Sequence, residues 1–252
     1  MEKIFIRFGN FFFRWRDTLF SLILIFGLYS LTLPKEELFF YFGDVELDII
    51  LSWIGFFVLL IGILIRVFTI GFIYIKRAGI QKKIYAEVLF QEGLFAHSRN
   101  PLYLGNLLVV TGFVITINLI AFWYLILPLF FFIYFCIIKA EEDFLFKKFQ
   151  DKYLDYYKKV PRLIFGNFSL YPQSFKNLTF SFKRMIKVEH SSHFLIFFSL
   201  VLVNLFKFHF RYQWDWSHPF FYLLYLISIV LLLYQGVSFY LKKIGKLDVQ
   251  ES

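Results

Sequence analysis

The chain has 252 residues, of which 59% are apolar, 24% aromatic and only 18% charged. A soluble domain of this size has no interior for that much apolar side chain, so the composition excludes a soluble globular fold, a disordered chain and, with one cysteine, a disulfide scaffold. A net charge of +9 would suggest nucleic acid in a soluble chain; in a membrane protein it fits cytoplasmic loops facing anionic lipid, and no nucleic-acid partner is expected.

Six apolar runs follow in chain order. Thr18 to Leu33 is just long enough to span. No small-x-small cleavage site follows it, so it reads as a retained span rather than a signal peptide. Ile49 to Ile75 is interrupted only by Arg66. As a helix it would be about 40 Å long, so it tilts or leaves the membrane. Leu102 to Ile117 and Ile120 to Ile138 are separated by little more than Asn118, which predicts a tight helical hairpin. Beyond it, Phe144, Leu145, Phe149, Tyr153, Tyr156 and Val160 recur at helical spacing, and Pro161 stops the pattern. Phe194 to Phe206 is short, and Phe220 to Tyr240 is the last run.

The flanks alternate in charge. Lys3, Arg7, Arg14 and Arg16 precede the first run; Glu36, Glu37, Asp44, Glu46 and Asp48 precede the second. Lys76 to Arg99, Lys139 to Lys187, and the tail with Lys242, Lys243 and Lys246 are basic. The predicted fold is an all-α polytopic membrane protein with about six transmembrane helices and a cytoplasmic helix after the fourth. Both termini lie in the cytoplasm. The chain reads as one domain over residues 1–252, with an accessory C-terminal helix pair at about 193–240.

Two polar clusters carry chemistry. Gly93 to Asn106 enters the third span, with Pro101 where the helix begins and Ser98 or Asn100 able to cap it. Free N–H groups and Arg99 there suit a carboxylate or phosphate. Lys139-Ala140-Glu141-Glu142-Asp143 stands where the fourth span ends. Carboxylates at membrane depth are costly and suit a cationic or ribose-bearing ligand. The hairpin brings both clusters to the same end. No Gly-x-Gly-x-x-Gly turn follows a strand, which excludes a soluble dinucleotide-type fold. No metal site is expected.

The run Gly93 to Asn106, the pair Glu141-Glu142, the aromatic helix Phe149, Tyr153, Tyr156 and the ending Val160-Pro161-Arg162 together resemble the isoprenylcysteine carboxyl methyltransferase family. The wider group includes phospholipid methyltransferases. The resemblance spans about Glu87 to Phe165, inside a core of about 76–165. It departs from the usual pattern at Asn100 (often His), Phe95 (often Tyr), Gln150 (usually Gly) and Phe165 (usually Pro).

The resemblance implies methyl transfer from S-adenosylmethionine to a lipid-borne group. It implies cofactor contacts at Glu87, Val88, Leu89, Phe90, Phe95, Asn100, Pro101, Leu102, Tyr103, Glu141 and Glu142. Arg99, Asn100 and Lys139 are the expected catalytic positions, and Arg99, Lys139 and Arg162 the expected substrate contacts. His97 is the nearby base an amine acceptor would need, though it reads as a helix-entry residue, and this favours an anionic oxygen. Phe-, Ile- and Lys-rich composition points to an AT-rich bacterial genome and hence the inner membrane. The expected acceptor is therefore a lipid phosphate, such as lipid A 1-phosphate. Isoprenylcysteine carboxylate, a phospholipid amine, a membrane reductase and a non-catalytic protein are the alternatives.

Overall fold

A computed structural model describes residues 2–33, 45–73, 84–166 and 171–248. Glu36, Glu37, Asp44 and the basic stretch from Lys76 to Lys83 lie outside the described residues. The long helices are α1 (Glu2–Thr32), α2 (Val45–Phe72), α3 (Pro101–Ile117), α4 (Leu127–Lys159), α6 (Phe182–Phe206) and α7 (Pro219–Lys243), with a one-turn α5 (Tyr171–Ser174). π-turns at Phe122–Ile126 and Lys207–Arg211 lead into α4 and out of α6. No strand occurs among the described residues.

Among the described residues, four stretches are long and apolar enough to cross a membrane: Glu46–Phe72, Phe122–Lys159, Phe182–Arg211 and Pro219–Lys243. That is fewer than the six predicted. The α3 helix is apolar but shorter, and α1 carries Arg14, Arg16 and Asp17 in its middle. Two boundaries also differ. The run Thr18 to Leu33 is the second half of a helix that starts at Glu2, and the run read as a short fifth span is the second half of the 25-residue α6.

The hairpin forms, but its legs are open. Asn118 makes the turn in the left-handed region, with φ of 52°, and its N–H closes on Val114 O at 2.9 Å. Each leg then packs chiefly on a different neighbour, α3 on α2 and α4 on α1. Glycines explain the first pairing. A Cβ on Gly112 would stand 2.5 Å from Gly55 O, and one on Gly62 would stand 2.6 Å from Gly105 O, so the antiparallel backbones touch at both levels. In the second pairing Phe20 stacks on Phe130 with centroids 4.4 Å apart, and Gly9 lets α1 approach the Cys136 carbonyl.

One end of the bundle collects the start of α1, the end of α2, the start of α3, the end of α4, the start of α6 and the end of α7. Lys139 pairs with Glu2 at 3.6 Å, Lys187 with Asp248 at 2.6 Å, and Ser181 N–H donates to Gly71 O at 2.9 Å. The other end holds a buried ionic cluster. Asp48 accepts from Lys207 at 3.1 Å, Arg211 at 3.2 Å and Asn118 at 2.8 Å, and also from the Tyr212 hydroxyl. Lys207 and Arg211 meanwhile donate to the last carbonyls of α3, Thr116 and Ile117.

Candidate active site

The entry to α3 and the exit of α4 are laced together. Gly93, with φ of +57°, starts the turn that leads into the helix. Arg99 N–H donates to Pro161 O at 2.9 Å, Gly166 N–H to His97 O at 2.9 Å, Ser98 Oγ to Leu163 O at 3.0 Å and Asn100 Nδ2 to Arg162 O at 3.0 Å. Tyr156 OH donates to Phe95 O at 2.8 Å. Segments some sixty residues apart therefore share one rigid loop layer. Ser98 and Asn100 spend their side chains on these cross-links, and neither caps α3 within the helix.

The two adjacent glutamates have different surroundings. Glu142 is 4% exposed. Its Oε1 accepts from Arg99 Nη2 at 2.9 Å and Arg162 Nε at 3.1 Å, and its Oε2 from Arg162 Nη2 at 2.8 Å. Arg99 Nη1 also reaches Tyr157 O at 2.8 Å, and the guanidinium lies 4.0 Å over the Tyr157 ring. Burial alone would lower the Arg162 basicity, but the bonds and charge of Glu142 outweigh it and leave Arg162 above its ordinary value. Glu141 instead accepts from Tyr103 OH at 2.5 Å and faces a cavity.

That cavity has a volume of about 1140 Å³ and lies where the hairpin legs are apart. Glu87, Val88, Leu89, Phe90, Phe95, Asn100, Pro101, Leu102, Tyr103 and Glu141 all line it, as does Arg99. Glu142, Lys139 and Arg162 do not. Lys139 turns to Glu2, and Arg162 is held by Glu142. His97 is fully buried outside the wall; its ring nitrogens lie 2.9 Å from Gly166 O and 2.9 Å from Ser174 Oγ, and Tyr171 stacks on it. Below the loop layer one lobe of the cavity is apolar, with Phe13, Phe20, Ile23, Val114, Phe122 and Phe130 in its wall.

The sequence reading missed the other side of the cavity. Arg66 and Arg184 line it, together with Asn106, Ser192 and Ser199. Arg66 pairs with Glu189 at 2.6 Å and donates to Asn106. The lone charge inside an apolar run was the available signal, but its partner lies 123 residues away.

The mouth residues fit a cationic sulfonium. Glu141 supplies a half-buried carboxylate beside Tyr103, and Phe90 and Phe95 supply ring faces 6.2 Å apart. No curated protein and no solved structure matches the chain. Residues 50–152, from α2 through most of α4, match the phospholipid methyltransferase family. That family sits in the same superfamily as the enzymes the motifs resemble. Match and motifs agree on the chemistry, and the chain is a membrane methyltransferase that takes its methyl group from S-adenosylmethionine.

Proposed function

We propose that the protein methylates the head group of a membrane lipid, with S-adenosylmethionine held at the mouth of the cavity by Glu87 to Phe90, Phe95, Asn100 to Tyr103 and Glu141. The observation that carries this reading is the shape of this cavity. It joins the motif loops to an apolar lobe that runs along α3 from Tyr103 to Ile117. Fifteen residues of helix cover about 21 Å, enough for much of an acyl chain. The cofactor supplies an activated methyl group; the chain's own residues align and desolvate the acceptor.

The acceptor proposed is an anionic oxygen, best a lipid phosphate such as that of lipid A. Arg66, Arg99 and Arg184 stand in the wall. An ionised phosphate or carboxylate needs no base, and His97 is committed elsewhere. The second reading is N-methylation of an aminophospholipid. It is supported by the family match and by Glu141, a wall carboxylate that could take an ammonium proton. The basic end supports a cytoplasmic active site and cytoplasmic termini: Lys139, Arg184, Lys187, Lys242 and Lys243 share the end that carries the mouth.

The test uses purified protein in lipid nanodiscs with methyl-labelled S-adenosylmethionine and total bacterial lipid extract. Label on a phosphate oxygen is the expected result. Label on an amine would move the assignment to the second reading. Binding of reduced nicotinamide in place of S-adenosylmethionine would overturn both.

A further inference from the structure

We propose that the side of the cavity between α2 and α6 is a phosphate-binding subsite for the lipid, built on Arg66 and Arg184. The proposal rests on the lipid-methyltransferase reading and adds a recognition element to which α6 contributes from outside the segment matching the family.

Arg66 is 3% exposed and lines the cavity. Its stem crosses α3 over Gly105, where a Cβ would come within 2.7 Å of Arg66 Cγ. One Nη group is held by Asn106 and the other by Glu189 at 2.6 Å. The Nε–H has no partner among the described residues. Glu189 is fully buried and does not line the cavity, so the carboxylate sits behind the guanidinium. The wall therefore presents the cation and hides its counter-charge.

Arg184 repeats the arrangement nearer the mouth. Its Nη1 donates to Phe72 O at 3.0 Å and Gly71 O at 3.3 Å, the last carbonyls of α2, and its buried Nε also lacks a partner among the described residues. Ser192 and Ser199, two turns apart on α6, add hydroxyls to the same wall. Two guanidiniums, each with a buried Nε–H that lacks a partner among the described residues, and two hydroxyls, in a wall shared with apolar residues, suit a tetrahedral oxyanion bearing an acyl chain. Asn106 stands one turn below Tyr103 on α3. A phosphate on Arg66 would sit only about 4.5 Å further along the helix axis than the Tyr103–Glu141 pair.

Two lipids can supply this group: a phosphate monoester, which would itself be the acceptor, or a phosphodiester whose attached amine would be. Dioctanoyl phosphatidic acid and dioctanoyl phosphatidylethanolamine probe the two sources, and dioctanoylglycerol is the uncharged control. All are titrated into the protein in nanodiscs, with S-adenosylmethionine binding measured in parallel. Wild type should bind the phosphate lipids about tenfold to a hundredfold more tightly than dioctanoylglycerol. Preference for the monoester assigns the acceptor phosphate, and equal binding assigns the diester.

Removing one member of a buried ion pair can unfold a protein, whereas replacing both by apolar residues of similar volume is often tolerated. The key variant is therefore Arg66→Met with Glu189→Leu. It should lose the phosphate preference and keep its S-adenosylmethionine affinity. Arg184→Gln should lose part of the preference. Glu189→Gln, which unmasks Arg66, should tighten phosphate binding, which a purely structural ion pair would not do. Retained phosphate preference in the double variant overturns the proposal, as does a parallel loss of S-adenosylmethionine affinity. Wild type that binds S-adenosylmethionine without preferring phosphate refutes the subsite alone; wild type that does not bind S-adenosylmethionine refutes the methyltransferase reading beneath it.

Discussion

Glu141 and Glu142 are neighbours in sequence, yet their glutamine variants should fail in opposite ways. Glu142 is buried and holds Arg99 and Arg162 through three hydrogen bonds between 2.8 and 3.1 Å. Glu142→Gln leaves two cations facing one another. Breaking a buried ion pair in this way costs about 3–5 kcal/mol. The Arg162 side chain is 29% exposed and can turn to solvent, while that of Arg99 is 7% exposed and cannot. The low end, about 3 kcal/mol, is therefore expected. Glu141→Gln keeps an amide oxygen to accept from Tyr103, so stability should change by less than about 1 kcal/mol. Its loss appears in the cofactor: a carboxylate facing a sulfonium contributes about 1.5–3 kcal/mol, roughly tenfold to a hundredfold in affinity. Thermal unfolding and S-adenosylmethionine titration of both purified variants form the assay. A stable Glu142→Gln with weakened cofactor binding, beside an unstable Glu141→Gln with normal binding, would refute the assignment.

Three further outcomes follow from the packing. Gln150 has φ of 46° and ψ of −121° inside α4, a conformation only glycine adopts freely, and the resembling family usually has Gly there. Gln150→Gly should raise the unfolding free energy by about 1 kcal/mol in chemical denaturation. Gly105→Ala would place a methyl 2.8 Å from Gly62 O and 2.7 Å from Arg66 Cγ; a loss of about 1–3 kcal/mol is expected, read as a lower midpoint on heating. Asp48→Asn leaves Lys207 and Arg211 without their shared carboxylate and should cost about 3–5 kcal/mol, with S-adenosylmethionine affinity unchanged because the cluster lies at the opposite end.

Much of the site was legible because its parts are local. The Gly93 to Asn106 run, the Glu pair and Val160-Pro161-Arg162 each have their own spacing, and a turn at Asn118 was enough to bring them to one end. What stayed hidden depends on registers between separate helices. Gly55 and Gly62, like Gly105 and Gly112, are seven residues apart, but nothing in either run says which other run they face. Without that pairing, α3 was set against α4 as a tight hairpin. The two glutamates could not be separated for a related reason. Successive residues on a helix point about 100° apart, and which one faces the loop layer depends on the rotation of α4 against α1.

The least legible feature was the standing of the C-terminal helices. Read from hydropathy, residues 193–240 looked like an accessory pair, but the ionic contacts of α6 argue otherwise. Near one end Glu189 holds Arg66 of α2; at the other, Lys207 and Arg211 at the end of α6 hold Asp48 of α2 and the terminal carbonyls of α3. An apolar helix in lipid gains little from the hydrophobic effect by packing on another, so such polar contacts decide where it docks. Clamped at both ends against α2 and α3, α6 forms one wall of the cavity, and Ser192, Leu195, Ile196 and Ser199 enter that wall. The α7 helix packs on α6 and leaves most of its own surface exposed. An accessory role therefore suits α7 alone, and a chain truncated before α6 would lose one side of its cavity together with the ion-pair partners of Arg66 and Asp48.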